Sequence, residues 1–188
     1  MIICFCGAHS TGKSTLVEFF RGKEGFVCLD SCTRSTISDR ERKIDGVSSL
    51  DDTQLRMMKG VKSRMAEIVE MNQKDPSKVY CMDRCVFDFL SYTKAFYQRG
   101  LLKKQVYEEI VEGCEGLWTN IDIFFYLPIE FKIVDDGVRS LDEDLRQTVD
   151  KNVRDSLFWY PVQAVELTGT VLQRVKKVEE VVELLGRG

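Results

Sequence analysis

A mainly parallel α/β sheet covered by helices on both faces is the fold this sequence predicts. Three observations predict it: short apolar runs alternate with segments of helical period along the chain, those runs read as buried strands, and a glycine turn joins the first run directly to the first helical segment. Residues 1–6 form the first strand, ended by Gly7. Helical period then begins at Lys13, with Leu16, Phe19 and Phe20 on one side, and Gly22 and Gly25 punctuate its end. Residues 26–29 read as a second buried strand closing on Asp30 and Ser31, and the polar stretch 33–49 has weak periodicity. A long helical pattern over 51–73 offers Leu55, Met58, Met65, Ile68, Val69 and Met71 to the core before Asp75-Pro76-Ser77 breaks it. The third strand, 79–82, runs into Asp83-Arg84, and helices follow over 87–98 and 103–117. Residues 121–127 form an aromatic-rich strand cut off by Pro128; 135–158 is a charged segment of helical composition, 165–168 a last short strand and 171–185 an amphipathic terminal helix.

The 188 residues suit one domain with a substantial core, so a single domain over 1–188 is expected. With 27 basic and 30 acidic side chains the net charge is -3, and no global positive field advertises nucleic acid or membrane as a partner. A membrane helix needs roughly 18 consecutive apolar residues, which no stretch supplies, so a cytoplasmic location is expected. Seven cysteines lie largely in apolar segments. The Cys28/Cys32 and Cys81/Cys85 pairs have CxxxC spacing and the only histidine is His9, so reduced core thiols are expected rather than zinc ligands.

The run Gly7-Ala8-His9-Ser10-Thr11-Gly12-Lys13-Ser14 meets the pattern GxxxxGK[ST] between a strand and a helix, the context that a phosphate-binding P-loop requires. Glycine lets the backbone adopt φ values that turn successive N–H groups toward phosphate oxygens at a helix N-terminus. Lys13 supplies a point charge for the terminal phosphates, Ser14 a hydroxyl for Mg2+, and Thr15 helps hold the nucleotide end. His9 stands at a variable loop position, at the solvent or substrate edge, with no chemistry assigned to it. The fold class is therefore a P-loop NTPase α/β three-layer sandwich that binds a nucleoside triphosphate, expected to be ATP with Mg2+.

Asp83 at a strand end is placed to reach magnesium, with Arg84 beside it. Asp88 and Tyr92 lie four apart on one helical face and are candidates to bind an acceptor's hydroxyl groups or ring. Arg139 and Arg146 are two helical turns apart, suited to bind phosphate oxygens from a helical lid over about 133–160 that excludes water. Asp30 is a candidate base and Arg34 a candidate for an acceptor phosphate.

The phosphate loop, Cys32-Thr33-Arg34, Asp83-Arg84-Cys85-Val86-Phe87-Asp88 with Tyr92, and Asp136-Gly137-Val138-Arg139 together resemble the ribosylnicotinamide kinase-like (NadR-like) P-loop family, many of whose members are small kinases or phage proteins. The resemblance implies a five-stranded parallel sheet with a helical lid, and active-site roles for Lys13, Ser14, Asp83, Arg84 and Arg139. The sequence departs from that family at Ser31, where a glutamate is frequent, and it has no separate adenylyltransferase domain.

The expected activity is transfer of the γ-phosphoryl group of ATP to a hydroxyl or phosphate of a nucleoside, nucleotide or similar small acceptor. Two alternatives remain. A hydroxyl in nucleic acid is one acceptor, with Lys59, Lys62 and Arg64 beside Arg40, Arg42 and Lys43 as a local basic face. An ATPase or switch without an acceptor is the other; a guanine-specifying motif is missing, since Asn72-Gln73-Lys74-Asp75 has the wrong order.

Overall fold

The computed structural model describes residues 1–30, 49–132 and 142–186. Among them, strands β1 (Ile2–Cys6), β2 (Phe26–Leu29), β3 (Val79–Asp83), β4 (Ile123–Tyr126) and β5 (Ala164–Glu166) pair in the order β2-β3-β1-β4-β5, every pair parallel. The helices are α1 (Lys13–Arg21), α2 (Leu50–Lys74), α3 (Val86–Gln98), α4 (Lys104–Gly113), α5 (Glu143–Trp159) and α6 (Val171–Gly186), with a 3-10 turn at Leu117–Asn120.

Strand period two divides the core into two layers. Cys4, Cys6, Tyr80, Met82, Phe124 and Tyr126 face one side, covered by Met58, Met65 and Ile68 of α2, Phe87 and Phe89 of α3, Ile110 of α4 and Val149 and Val153 of α5. Ile3, Phe5, Cys81, Ile123 and Phe125 face the other, covered by Leu16, Val17 and Phe20 of α1 and Val175 and Val178 of α6. Every residue of β1 is buried, because both faces and both edges are occupied. Burying each large side chain of this kind contributes about 1.5–3 kcal/mol relative to exposure.

The chain leaves β1 to build β2 and β3 on one side and β4 and β5 on the other, so the crevice at the carboxyl end of β1 is the topological switch point where ligands bind in open α/β sheets. Register brings Phe5 opposite both Asp83 of β3 and Phe125 of β4. Asp83 therefore reaches the sheet edge beside the segment that follows Cys6.

Some sequence expectations need correction. Phe19 is 45% exposed, and Val17 takes the inward place beside Leu16 and Phe20. The helix expected over 103–117 stops at Gly113. Residues 133–141 of the expected lid lie outside the described residues. The rest of that segment is α5, whose Leu145, Val149 and Val153 lie one helical turn apart and pack into the core, so it is a layer helix and not a separate cover. Asp142 caps α5 by accepting the Leu145 N–H at 2.8 Å and is paired with Arg99. No helix among the described residues is long and apolar enough to cross a membrane.

Candidate active site

The phosphate loop occupies the crevice beyond β1, and its backbone is held at nearly every step. Gly7 (φ 140°), Ser10 (φ 58°) and Gly12 (φ 95°) supply the positive dihedrals that curl it into the N-terminus of α1. Gly12 caps α1 without a side-chain hydrogen bond, which leaves the first turn's N–H groups to a ligand.

Each carbonyl from Gly7 to Gly12 has a donor. Lys13 Nζ donates to the Gly7 carbonyl at 2.7 Å and to that of Ala8. Thr11 Oγ1 also donates to Ala8 O, at 3.0 Å. Arg146 donates through Nε to His9 O at 3.1 Å and through Nη2 to Ser10 O at 3.2 Å. Arg174 Nη1 donates to Thr11 O at 2.7 Å, and the Leu16 N–H to Gly12 O at 3.2 Å. In a trans peptide the carbonyl and the following N–H point opposite ways, so holding the carbonyls of residues 9, 10 and 11 aims the N–H groups of residues 10, 11 and 12 away from the two arginines.

Lys13 is 4% exposed. Burial lowers its pKa to about 8, with Arg84 pushing the same way and Asp88 opposing. Ser14 Oγ donates to Asp83 Oδ2 at 2.8 Å, while Asp83 Oδ1 is buried without a partner. Arg84 adopts φ 73°, left-handed for a non-glycine residue and held by its N–H on Phe5 O at 3.1 Å. Such a conformation costs about 1–3 kcal/mol and is typically retained where a side chain must be aimed. The Arg84 guanidinium lies 6.0 Å from the centre of the Tyr92 ring.

Asp88 and Tyr92 both hold the loop. Asp88 is 1% exposed, accepting the Gly7 N–H through Oδ1 and the Cys85 N–H through Oδ2, each at 3.0 Å, so one carboxylate joins the end of β1 to the start of α3. Burial pushes its carboxyl up to about 8. Tyr92 Oη accepts the His9 N–H at 3.2 Å and stands 2.8 Å from His9 Nδ1. His9 is accordingly buried at 6% exposure, not at a solvent edge. Spacing of four placed Asp88 and Tyr92 on one face; that face turns toward the loop.

Six described cysteines, Cys4, Cys6, Cys28, Cys81, Cys85 and Cys114, are not joined in disulfides. Cys4, Cys85 and Asp88 bring their ligand atoms within 4.8 Å of one another. Both Asp88 oxygens are already committed to backbone N–H groups and all three residues are buried, so this is a packed cluster under the loop.

Asp30 is not brought to the loop. It sits on the surface, 74% exposed by side chain, paired with Arg21 of α1. Arg34 and Arg139 lie outside the described residues, as do Arg40, Arg42 and Lys43; of the rest of that basic face, Arg64 pairs with Glu67 at 2.9 Å. Arg146 lies in the site, 1% exposed and donating to the loop's carbonyls.

Three residues that sequence reasoning missed belong to the site: Arg174, Glu130 and Phe131. Arg174 pairs with Glu130, and its guanidinium lies 5.3 Å from the Phe131 ring centre. A cavity of about 260 Å3 opens here, bounded by Gly12, Thr15, Phe131, Gly169, Val171 and Arg174. It continues the loop on the Thr15 side. One signal was available: Arg174 stands four residues before the buried Val178, on the apolar stripe of α6.

A parallel sheet with a phosphate-cradling glycine loop at its switch point, a buried lysine in the loop and a serine–aspartate pair at its mouth defines a P-loop NTPase. The chain belongs to an AAA domain family, whose model matches residues 2–174. Among solved structures it is similar to deoxyadenosine kinase from M. mycoides with bound dATP, at a TM-score of 0.71 and 16% identity over 97% of this chain and 99% of that one. It is likewise similar to thymidylate kinase from Candida albicans, at a TM-score of 0.70 and 16% identity over 98% of this chain and 92% of that one. At these identities the likeness is one of fold. No curated protein sequence matches the chain.

Proposed function

We propose that this protein transfers the γ-phosphoryl group of ATP to a hydroxyl or phosphate of a nucleoside, nucleotide or related small acceptor. The observation that carries the reading is the loop itself: its carbonyls are all bound from Gly7 to Gly12, so its N–H groups are oriented before a ligand arrives. Such preorganisation is what a phosphoryl-transfer site needs, because catalysis there is mostly positioning and charge stabilisation. The likeness in fold to a deoxyadenosine kinase and a thymidylate kinase supports it. The finer resemblance to ribosylnicotinamide kinase-like proteins is part of the same proposal.

Lys13 leaves the Gly7 and Ala8 carbonyls to meet the β- and γ-phosphates, and Arg84 faces the transferring group. Arg139 is proposed to add charge from the segment before α5, and Thr15 to border the nucleoside. The donor set fits Mg2+: the Ser14 hydroxyl and Asp83 carboxylate are adjacent, and the buried Asp83 Oδ1 has no partner in the protein. When bound, the ion offsets charge on the phosphoryl oxygens. Asp83, beside the loop, is taken as the carboxylate that orients an acceptor hydroxyl, a choice supported by the exposed place of Asp30 and its pairing with Arg21.

The test is transfer of labelled γ-phosphate from ATP with Mg2+ to nucleosides, deoxynucleoside monophosphates, nicotinamide riboside, and plain or hydroxymethylated DNA. A labelled small acceptor is expected. Label on DNA would move the acceptor class to nucleic acid, and hydrolysis indifferent to every addition would replace the kinase reading by an ATPase.

The pH dependence of ATP binding follows from Lys13. Free Lys13 has its pKa lowered to about 8, and phosphate oxygens favour the ammonium, so binding raises it. Below that value both states carry the proton and affinity is flat in this group. Above it the free lysine must take up a proton to bind, and affinity falls by up to about tenfold per pH unit. Titration calorimetry at pH 9 in buffers of differing ionisation enthalpy should show net proton uptake; none, or release, would contradict the assignment.

A further inference from the structure

Two buried guanidiniums that phosphate binding does not consume meet at one residue. Arg146 Nη2 donates to the Phe131 carbonyl at 2.8 Å, and Arg174 lies against the Phe131 ring with its centre 5.3 Å away. The same arginines hold the loop, Arg146 at His9 and Ser10 and Arg174 at Thr11. Arg174 also pairs with Glu130, whose carboxylate accepts the Gly169 N–H at 3.1 Å. One side chain therefore ties the phosphate loop, the segment after β4 and the turn after β5, and all three border the cavity of about 260 Å3. Burying a guanidinium is costly unless its donors are used, and Arg174 keeps a buried Nε with no partner, so its place is not optimised for stability alone. Gly12 leaves just enough room, since a Cβ there would stand 3.2 Å from Arg174 Nη1.

We propose that Arg174, supported by Arg146, is a positioning residue that makes the base-side cavity and the phosphate loop one rigid unit. A nucleoside triphosphate whose base rests on Phe131 further restrains Arg174, which already holds the Thr11 carbonyl and with it the Gly12 N–H aimed at the phosphates. Contacts made by the base thereby strengthen binding at the triphosphate. The inference rests on the nucleotide reading given above and deepens it.

Titration calorimetry of Mg2+–ATP and Mg2+–tripolyphosphate against the wild-type protein, Arg174→Lys and Glu130→Gln tests it, with melting curves to confirm that each is folded. Lysine keeps the charge but cannot bridge Thr11 and Glu130 with a planar fork, and glutamine keeps an acceptor for Gly169 while losing the ion pair. Arg174→Lys is expected to weaken ATP about tenfold and tripolyphosphate much less, shrinking the preference for ATP. Glu130→Gln should shift the preference in the same direction. An ATP affinity unchanged in both folded variants, or a loss shared equally by tripolyphosphate, would overturn the proposal. Wild-type protein that binds neither ligand would instead overturn the nucleotide reading, and this inference with it.

Discussion

Lys13→Ala is expected to lower phosphoryl transfer by about 10²- to 10³-fold at saturating ATP and Mg2+, the loss typical when one preorganised charge-stabilising donor is removed. The ammonium is seated inside the loop, bonded to the Gly7 and Ala8 carbonyls and 3.3 Å from Thr11 Oγ1. Its removal takes away the charge proposed to meet the terminal phosphates and also loosens two peptides of the cradle. A melting curve separates these effects, because Thr11 and the arginines still hold the Ala8, His9, Ser10 and Thr11 carbonyls. A folded Lys13→Ala protein that transferred phosphate at the wild-type rate would remove Lys13 from the mechanism.

Gly7→Ala is expected to have the largest effect on stability. Gly7 adopts φ 140°, and a Cβ there would stand 2.4 Å from the Leu127 carbonyl oxygen, which is backbone and cannot swing aside. The Leu127 N–H is itself bonded to Cys6 O at 2.9 Å, so relief requires parting β1 from β4. Backbone strain with a forced shift of this kind costs about 3 kcal/mol. For a chain of this size that lowers the melting temperature by about 6–12 °C. Gly22→Ala is the control: φ is -92° and nothing lies within 4 Å, so the change should be neutral or slightly stabilising. Equal melting temperatures for the two variants would show that the approach to Leu127 does not constrain Gly7.

The strands and the loop were legible because their signals are local. Residues 26–29 form β2 as expected, an apolar run bounded by glycine and aspartate, and the GxxxxGK[ST] spacing located the cradle from eight consecutive positions. What supports the cradle was not legible, because those contacts cross the chain: Arg174 and Thr11 are 163 residues apart, and Arg146 and His9 are 137 apart. Charged residues on amphipathic helices are usually solvated, which concealed that Arg146 turns inward beside the apolar stripe of α5 to hold the loop. Asp88 and Tyr92 were assigned to one face correctly, but helical period says only that side chains share a face. That Asp88 would cap α3 and grip Gly7 depended on β1 and β3 lying side by side.

The bracing of the loop by α5 and α6 has a consequence for how the protein becomes competent during synthesis. The motif at residues 7–14 leaves the ribosome before its supports: β1 cannot be flanked until residues 79–83 and 123–126 have followed it, and the Thr11 carbonyl waits for Arg174. A nascent chain carries its most conspicuous sequence signature long before that signature can grip a triphosphate. Ligand capture is thereby deferred until Arg174 has emerged, and nucleotide in the surrounding solution meets a braced loop instead of trapping an unbraced one.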